Sequence, residues 1–372
     1  MHSPKAVALI SGGLDSMLAV KLIQSQGIYV EGINFYTGFC VEGHTHALRK
    51  KSQNKSKRNN ALWVAEQLNI KLHIIDVIEE YKEVMLNPAH GYGAGLNPCL
   101  DCKVFMVKKA HEWMIENHFD FIITGEVIGQ RPMSQLKRKM PIVSQLSGAN
   151  ERLLRPLSAK LLPPTWPETQ KWVDRNQLCD FSGRSRLGQI ELAKRFNFDE
   201  YAQPAGGCCF LTHSHYSEKL LDLWESRGVR KYEFDDIMLL KIGHHIRPAP
   251  HYKLIIGREE SENRFLEGYR KAFIHLRVKH FSSPLTLIDH QAPLTPEDIY
   301  QAAQLAAGFS SGKHANSVTV TVHTLDEQEY TLEVKPIAKN TMPIHWYIEK
   351  NNKLIKKQPI IKNLIKDEPK SH

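Results

Sequence analysis

Two groups of residues in this chain have the types and spacing to do chemistry. The first is "SGGLDS", Ser11 to Ser16, set between an apolar run at 6–10 and a second apolar stretch with helical spacing. Gly12 and Gly13 allow a tight turn and a close approach of backbone to ligand. The N–H groups of such a turn, with the positive end of the following helix, form an anion site. Ser11 and Ser16 add hydroxyl donors. No Gly-Lys-Ser/Thr follows, so this is not the Walker arrangement. Asp15 instead puts a carboxylate inside a phosphate cradle, which suits a bound Mg²⁺. The second group is thiols. "NPCLDCK" spaces Cys99 and Cys102 to chelate one metal centre just ahead of a helix, whose N-terminus favours thiolate. "AGGCCFL" supplies a distant third sulfur, Cys208, with the vicinal Cys209 as the alternative ligand. Three thiolates leave a position open on an iron–sulfur cluster, whereas a structural zinc site is closed by four protein ligands.

Three further segments carry polar candidates. In "TGEVIGQRPMSQ", Gly125 permits close approach of a nucleotide, and Glu126 and Gln130 can hydrogen-bond nucleotide or substrate. In "SGRSR", Arg184 and Arg186 can form a fork for phosphate. Cys40 and Cys179 read as small buried hydrophobes. His44 and His46, and the pair His244–His245, read as solvated polar residues.

The elements that must position these residues alternate. Strand patterns at "KAVALI", "IYVEGINFY", "KLHIIDVI" and "FDFIITGEV" are separated by helical patterns at "SMLAVKLIQSQ", "ALWVAEQLN" and "CLDCKVFMVKKAHEWMIENH". Gly27 is placed to end the first helix. This alternation predicts an α/β fold, a doubly wound parallel sheet with helices on both faces, and ligands bind such sheets at the carboxyl ends of the strands. Residues from about 150 to 210 read as irregular and rich in Pro and Gly. Beyond them a smaller α+β domain is expected. It holds a helix or strand and a hairpin in "FDDIMLLKIGHHIRPAPHYKLIIG", a helix at "LTPEDIYQAAQLAAGFSSGKH" and a strand at "SVTVTVHTL". Thr295 is the expected N-cap of that helix, Pro296 its first residue, Asp298 the partner in a capping box and Gly308 its stop. The expected domains are 1–212, 213–335 and a basic tail over 336–372. No internal repeat is evident.

The chain has 372 residues, 42% of them apolar and 24% charged, as in an ordinary globular protein. No apolar run approaches the ~20 residues of a membrane span, and the first strand begins almost at once, without a secretory signal. A cytoplasmic protein with no membrane partner is expected, and six cysteines there point to metal or redox roles. The net charge of +9 permits a polyanionic partner such as nucleic acid. Basic runs at 49–58 and in the tail agree with that.

"SGGLDS" resembles the pyrophosphatase loop of the ATP-pyrophosphatase superfamily, which cleaves ATP between its α and β phosphates to activate a carbonyl. The wider pattern of "NPCLDC", "TGEVIGQRPMSQ", "LLRPLSAKLLPPT", "SGRSRLGQIELAK" and "PAGGC" resembles the tRNA thiolase branch, the 2-thiouridylases and 4-thiouridine synthetases. It covers about residues 5–212. The resemblance implies an adenine nucleotide α-hydrolase-like fold, with Ser11, Gly12, Gly13, Asp15 and Ser16 holding pyrophosphate and magnesium. It implies Asp15, Cys99 and Cys102 as catalytic residues, and a [4Fe-4S] cluster on Cys99, Cys102 and Cys208. ATP and Mg²⁺ are then cofactors, with tRNA and an unnamed sulfur donor as partners. The 4-thiouridine synthetases carry N-terminal RNA-binding domains for which this chain has no room ahead of residue 11. The second domain resembles the RNA-binding domain of the NFACT proteins, through "KLIIGREESEN", "YQAAQLAAGFSSGK" and "SVTVTV". The alternatives are another carbonyl-activating ligase with zinc at the cysteines, or an inactive RNA- or ribosome-binding factor. The modified uridine and the oligomeric state, a homodimer included, stay open.

Overall fold

The computed structural model describes residues 3–41, 59–202 and 209–350. These fall into two compact units, one over 3–41 and 59–202 and the other over 209–350.

The first unit is a five-stranded parallel sheet in the order β3-β2-β1-β4-β5. Its strands are β1 (Lys5–Leu9), β2 (Tyr29–Tyr36), β3 (Leu72–Asp76), β4 (Phe121–Thr124) and β5 (Leu153–Leu154). Alternation along β1 decides the layers. Ala6 and Ala8 face α1 (Leu14–Gln24) and α2 (Asn60–Leu68) in one core, with Met17, Val20 and Val64. Val7 points the other way, into a core with Val107, Ala110 and Met114 of α4 (Cys99–Glu116) and Val143 of α5 (Met140–Leu146). Helices on both faces make the sheet doubly wound, as the alternation of patterns predicts. The strand order reverses between β1 and β4, so the switch point lies beyond their carboxyl ends.

Two expectations need correction here. "KLHIIDVI" does not stay extended: the Asp76 carboxylate accepts the Ile78 N–H at 2.9 Å, and α3 (Ile78–Leu86) starts there. The region read as irregular holds β5, the short helix α6 (Trp166–Thr169) and α7 (Leu187–Arg195). A two-residue strand is too short to show a period.

The second unit is a six-stranded antiparallel sheet, β11-β10-β8-β9-β7-β6. Its strands are β6 (His244–Ala249), β7 (Tyr252–Ile256), β8 (Ile274–Val278), β9 (Thr286–His290), β10 (Val318–His323) and β11 (Glu329–Val334). Its helices are α8 (Ser214–Arg227), α9 (Phe234–Leu239), α10 (Glu260–Glu267) and α11 (Pro296–Gly308). Of its strands, only β10 and the β6–β7 hairpin are legible from pattern; of its helices, α11 is the one with clear start and stop signals. The α11 capping box forms as expected: Thr295 Oγ1 accepts the Asp298 N–H at 3.2 Å and Asp298 Oδ2 accepts the Thr295 N–H at 2.9 Å.

Gly308 ends α11, as expected, though not in the left-handed conformation. It is the last helical residue, and the cap after it, Phe309, is right-handed. It is glycine because a Cβ would collide with the Ile337 carbonyl. Of the stretch expected as a tail, residues 336–350 fold onto this unit, with Met342, Tyr347 and Ile348 buried. The hairpin histidine His245 is not solvated; it is fully buried, its Nε2 3.0 Å from the Ile242 carbonyl oxygen. Burial, then Lys219 and Lys253, hold its pKa well below the usual histidine value. Among the described residues no helix is long and apolar enough to cross a membrane.

Replacing Gly308 by Ala gains about 1 kcal/mol of helix propensity but drives a methyl into a backbone carbonyl, and such overpacking costs about 1–3 kcal/mol or more. Gly308→Ala should therefore lower the melting temperature, as read by circular dichroism.

Candidate active site at the sheet switch point

The chain leaves β1 through Ile10, whose N–H bonds the Ile33 carbonyl at 2.8 Å and whose own carbonyl accepts Asn34 Nδ2 at 2.7 Å. Gly12 then turns with φ +76°, which glycine alone adopts without strain. A Cβ at Gly12 would also sit 2.7 Å from the Asn60 Cβ and 2.9 Å from the Ala61 nitrogen. The first turn of α2 thus abuts the loop, its own N–H groups at Ala61 and Leu62 capped by Asn59 Oδ1. Gly13 is the N-cap of α1. Ser16 Oγ donates to the Gly13 carbonyl at 2.8 Å, and Ser11 Oγ lies 3.4 Å from Ser16 Oγ.

The loop that follows β4 packs on this turn. A Cβ at Gly125 would collide with the backbone of Asp15, so the neighbour that Gly125 admits is the first turn of α1. Gln130 Nε2 then donates to Asp15 Oδ2 at 2.6 Å, and Gln189 Nε2, on α7, donates to Gln130 Oε1 at 3.2 Å. The other carboxylate oxygen, Asp15 Oδ1, is buried with no hydrogen-bond partner among the described residues. Burial raises the Asp15 pKa above the usual carboxylate range, opposed in turn by Gln130, Arg186, Arg131 and Gln189. Arg186 Nε is also buried without a partner. Two arginines facing one half-satisfied carboxylate suit a divalent cation with polyphosphate around it.

The same loop reaches the thiols. Cys99 opens α4 and its Sγ donates to Ser134 Oγ at 3.4 Å; Cys102 lies in the same first turn, its N–H on the Pro98 carbonyl at 2.8 Å. His90 is hydrogen-bonded to Asp101 at the same turn, Nδ1 to Oδ1 at 2.8 Å. Because the helix connecting two parallel strands runs back antiparallel to them, its N-terminus lies at the carboxyl edge of the sheet, where the Gly-Gly turn also lies. Glu126 is sunk behind it, 2% exposed, and accepts Thr124 Oγ1 at 2.9 Å and Arg155 Nε at 3.1 Å. Lys103 of α4 stands 3.9 Å from its other oxygen. Burial pushes the Glu126 pKa up, but Lys103, Arg155 and Thr124 outweigh it and hold the carboxylate charged. Arg155 also reaches Ser144 Oγ and the Met140 carbonyl, each at 3.2 Å. Glu126 Oε2 is thereby taken by protein groups, while Oε1 has no hydrogen-bond partner among the described residues.

Ser11, Gly12, Gly13, Asp15, Ser16, Gly125, Gln130 and Arg186 therefore come together. Arg184 is exposed, outside that group. Cys208, His44 and His46 lie outside the described residues, and Cys209 opens the second unit. Among the described residues no group of three or more His, Cys, Asp or Glu is arranged to hold a metal ion. Burial pushes the Cys179 thiol up to about 11, which suits an inert residue. The reading of the sequence missed Asn60, Ser134, Arg131 and Gln189. Only Gln189 carried a signal, as a polar residue on the apolar face of a helix.

Residues 4–143 match the family model described as the tRNA methyl transferase HUP domain, and residues 243–347 that of the NFACT protein RNA binding domain. A probable tRNA sulfurtransferase of Thermococcus kodakarensis is 32% identical over 189 residues, 51% of this chain and 42% of that protein. A tRNA-specific 2-thiouridylase of Nitratiruptor sp. is 34% identical over 127 residues, 33% of this chain and 34% of that protein. One of Helicobacter hepaticus is 24% identical over 246 residues, 57% of this chain and 66% of that protein. The chain thus spans about a third to two thirds of the length of these relatives. The first unit resembles the ATP-pyrophosphatases in its doubly wound parallel sheet and its Ser-Gly-Gly-x-Asp-Ser turn. It resembles the tRNA thiolase branch of that superfamily, and the second unit resembles the NFACT RNA-binding domain.

Two outcomes follow. A carboxyl whose pKa is raised by folding adds stability only while protonated, and that contribution is lost as pH rises through the folded pKa. At neutral pH the charged Asp15 is a cost, so Asp15→Asn should melt higher than wild type in the absence of nucleotide. Arg155→Ala strands the buried Glu126 and should cost about 3–5 kcal/mol in a urea melt.

Proposed function

We propose that the chain is an ATP-dependent tRNA sulfurtransferase that replaces a uracil carbonyl oxygen with sulfur. The observation that carries this is the half-satisfied buried Asp15 in the Gly-Gly turn, tied through one loop to the thiol of Cys99. The names of the relatives matched by the first unit support it, as does the likeness of the second unit to an RNA-binding domain.

In this reading the uracil carbonyl oxygen attacks the α-phosphorus of ATP, the bond to the bridging oxygen breaks, and pyrophosphate leaves. Ser11, Ser16 and the amides of the turn donate to the departing phosphates, and Arg186 balances their charge. Asp15 is the residue that would hold Mg²⁺, which neutralises charge on the pyrophosphate. The base is now an O-adenylated imidate. A sulfur nucleophile adds to its activated carbon, and AMP departs with the former carbonyl oxygen. Cys99 and Cys102, at the head of α4, would present that sulfur. A [4Fe-4S] cluster held by them and Cys208 would supply an open iron position for hydrosulfide. Arg184, exposed and two residues from Arg186, would meet tRNA phosphate, and the second unit, by its likeness to an RNA-binding domain, would contact RNA in its own right.

The test is anaerobic purification of wild type, Asp15→Asn and Cys102→Ala, with iron, sulfide and zinc analysis, pyrophosphate release and mass spectrometry of tRNA. Asp15→Asn should lose pyrophosphate release by at least 100-fold (order of magnitude) and keep its metal. Cys102→Ala should lose iron, sulfide and thiolation together. Stoichiometric zinc with no thiolated tRNA would overturn the proposal in favour of a carbonyl-activating ligase.

A further inference from the structure

The amide pair behind Asp15 has no role in the chemistry above. We infer that Gln189 is a positioning residue: it fixes the orientation of the Gln130 amide and so keeps one oxygen of Asp15 open for a divalent cation. The inference rests on reading the turn as a site for metal and ATP.

A carboxylate only accepts hydrogen bonds, so Gln130 must turn its NH₂ toward Asp15 Oδ2, at 2.6 Å. Its carbonyl oxygen then points away and needs a donor. Gln189 Nε2 supplies it at 3.2 Å. Gln189 is 1% exposed, and water has no ready access to replace it. The three side chains come from α1, the loop after β4, and α7, so the order Gln189 to Gln130 to Asp15 crosses three elements. Each amide has one orientation that satisfies its neighbours. With Gln130 locked on Oδ2, Asp15 Oδ1 keeps no partner among the described residues. α7 places both Gln189 and its N-cap Arg186 beside the site. Removing Gln189 orphans the Gln130 carbonyl. The amide can then swing, and the carboxylate loses its fixed presentation without losing any group that touches the ligand.

The experiment measures binding of Mn²⁺ with ATP, by water-proton relaxation, to the full chain carrying Gln189→Ala, Gln130→Ala or both. Gln130→Ala should weaken binding roughly tenfold, the worth of one charge-assisted hydrogen bond, and Gln189→Ala, which loses a neutral one, should weaken it less. The double variant should lose less than the sum of the two single losses, because Gln189 acts chiefly through Gln130, beside its weaker direct effect on Asp15. Gln189→Glu fills the same volume but sets an acceptor against the Gln130 carbonyl. It should weaken binding more than Gln189→Ala, and Gln130→Ala should relieve part of that loss. This pair carries the test if Gln189→Ala does not fold. Additive losses, or unchanged affinity in both Gln189 variants, overturn the inference. Binding in the expected pattern by a chain that adds no sulfur to tRNA supports this inference and sinks only the functional reading. A wild type that does not bind Mn²⁺ with ATP overturns both.

Discussion

The backbone of α1 at Asp15 lies directly against Gly125, and the chemistry of the first unit is arranged around that contact. Only a residue without a Cβ fits there. Because it fits, the loop leaving β4 lies over the first turn of α1 at the place where the strand order reverses. Gln130 then reaches Asp15, and Ser134 reaches Cys99. Gly12 plays the matching part on the other side, admitting the first turn of α2. Two glycines 113 positions apart (125 minus 12) thus bring three segments to one sheet edge. A side chain at either would push the segments apart, and a shift of about 1 Å at such a site costs rate as well as stability.

Buried charge is handled differently in the two units. In the first, one carboxylate, Glu126, is neutralised from two sides by Arg155 and Lys103 and fixes the loop. The other, Asp15, keeps an oxygen unmet. Glu126 Oε1 is also buried without a hydrogen-bond partner, so what sets Asp15 apart is its place in the Gly-Gly turn and a pKa raised by burial where that of Glu126 is lowered by its cations. In the second unit the buried charges are paired among themselves. Arg247 is bidentate on Asp222, both bonds at 2.7 Å, and Lys253 lies 3.3 Å from Asp289. Lys219, its pKa lowered to about 8 by burial, donates to the Gly243 carbonyl at 2.9 Å and stands 3.7 Å from Glu349. These pairs tie α8 and the segment at 344–350 to the sheet. They read as architecture, and replacing one partner would leave the other uncompensated.

The residues that the sequence made legible are those whose types are rare for structural reasons alone. A Ser-Gly-Gly-x-Asp-Ser turn between an apolar strand and an apolar helix announces an anion site, since glycine and backbone N–H groups act through local conformation. The parallel sheet was legible for the same reason, because long apolar strands alternating with helices admit few topologies. The strands β8, β9 and β11 were not, for lack of a clean period: β11 is exposed along most of its length and β9 is buried on both faces at Leu287 and Ile288.

What the sequence by itself determined is the local chemistry: the turn at 11–16, the thiol pair at the head of a helix, and the Thr295–Asp298 capping box. Each depends on residues within a few positions of one another, so spacing suffices to read it. Tertiary structure alone decided which groups meet. Glu126 meets Arg155, 29 residues away, and Gln130 meets Asp15, 115 residues away. Gly308 ends its helix as the sequence suggests, but what requires glycine there is the Ile337 carbonyl, 29 residues on (337 minus 308). Distance along the chain carries no information about such meetings, because they are set by how strands order in a sheet and which helix faces pack, and those are properties of the whole core.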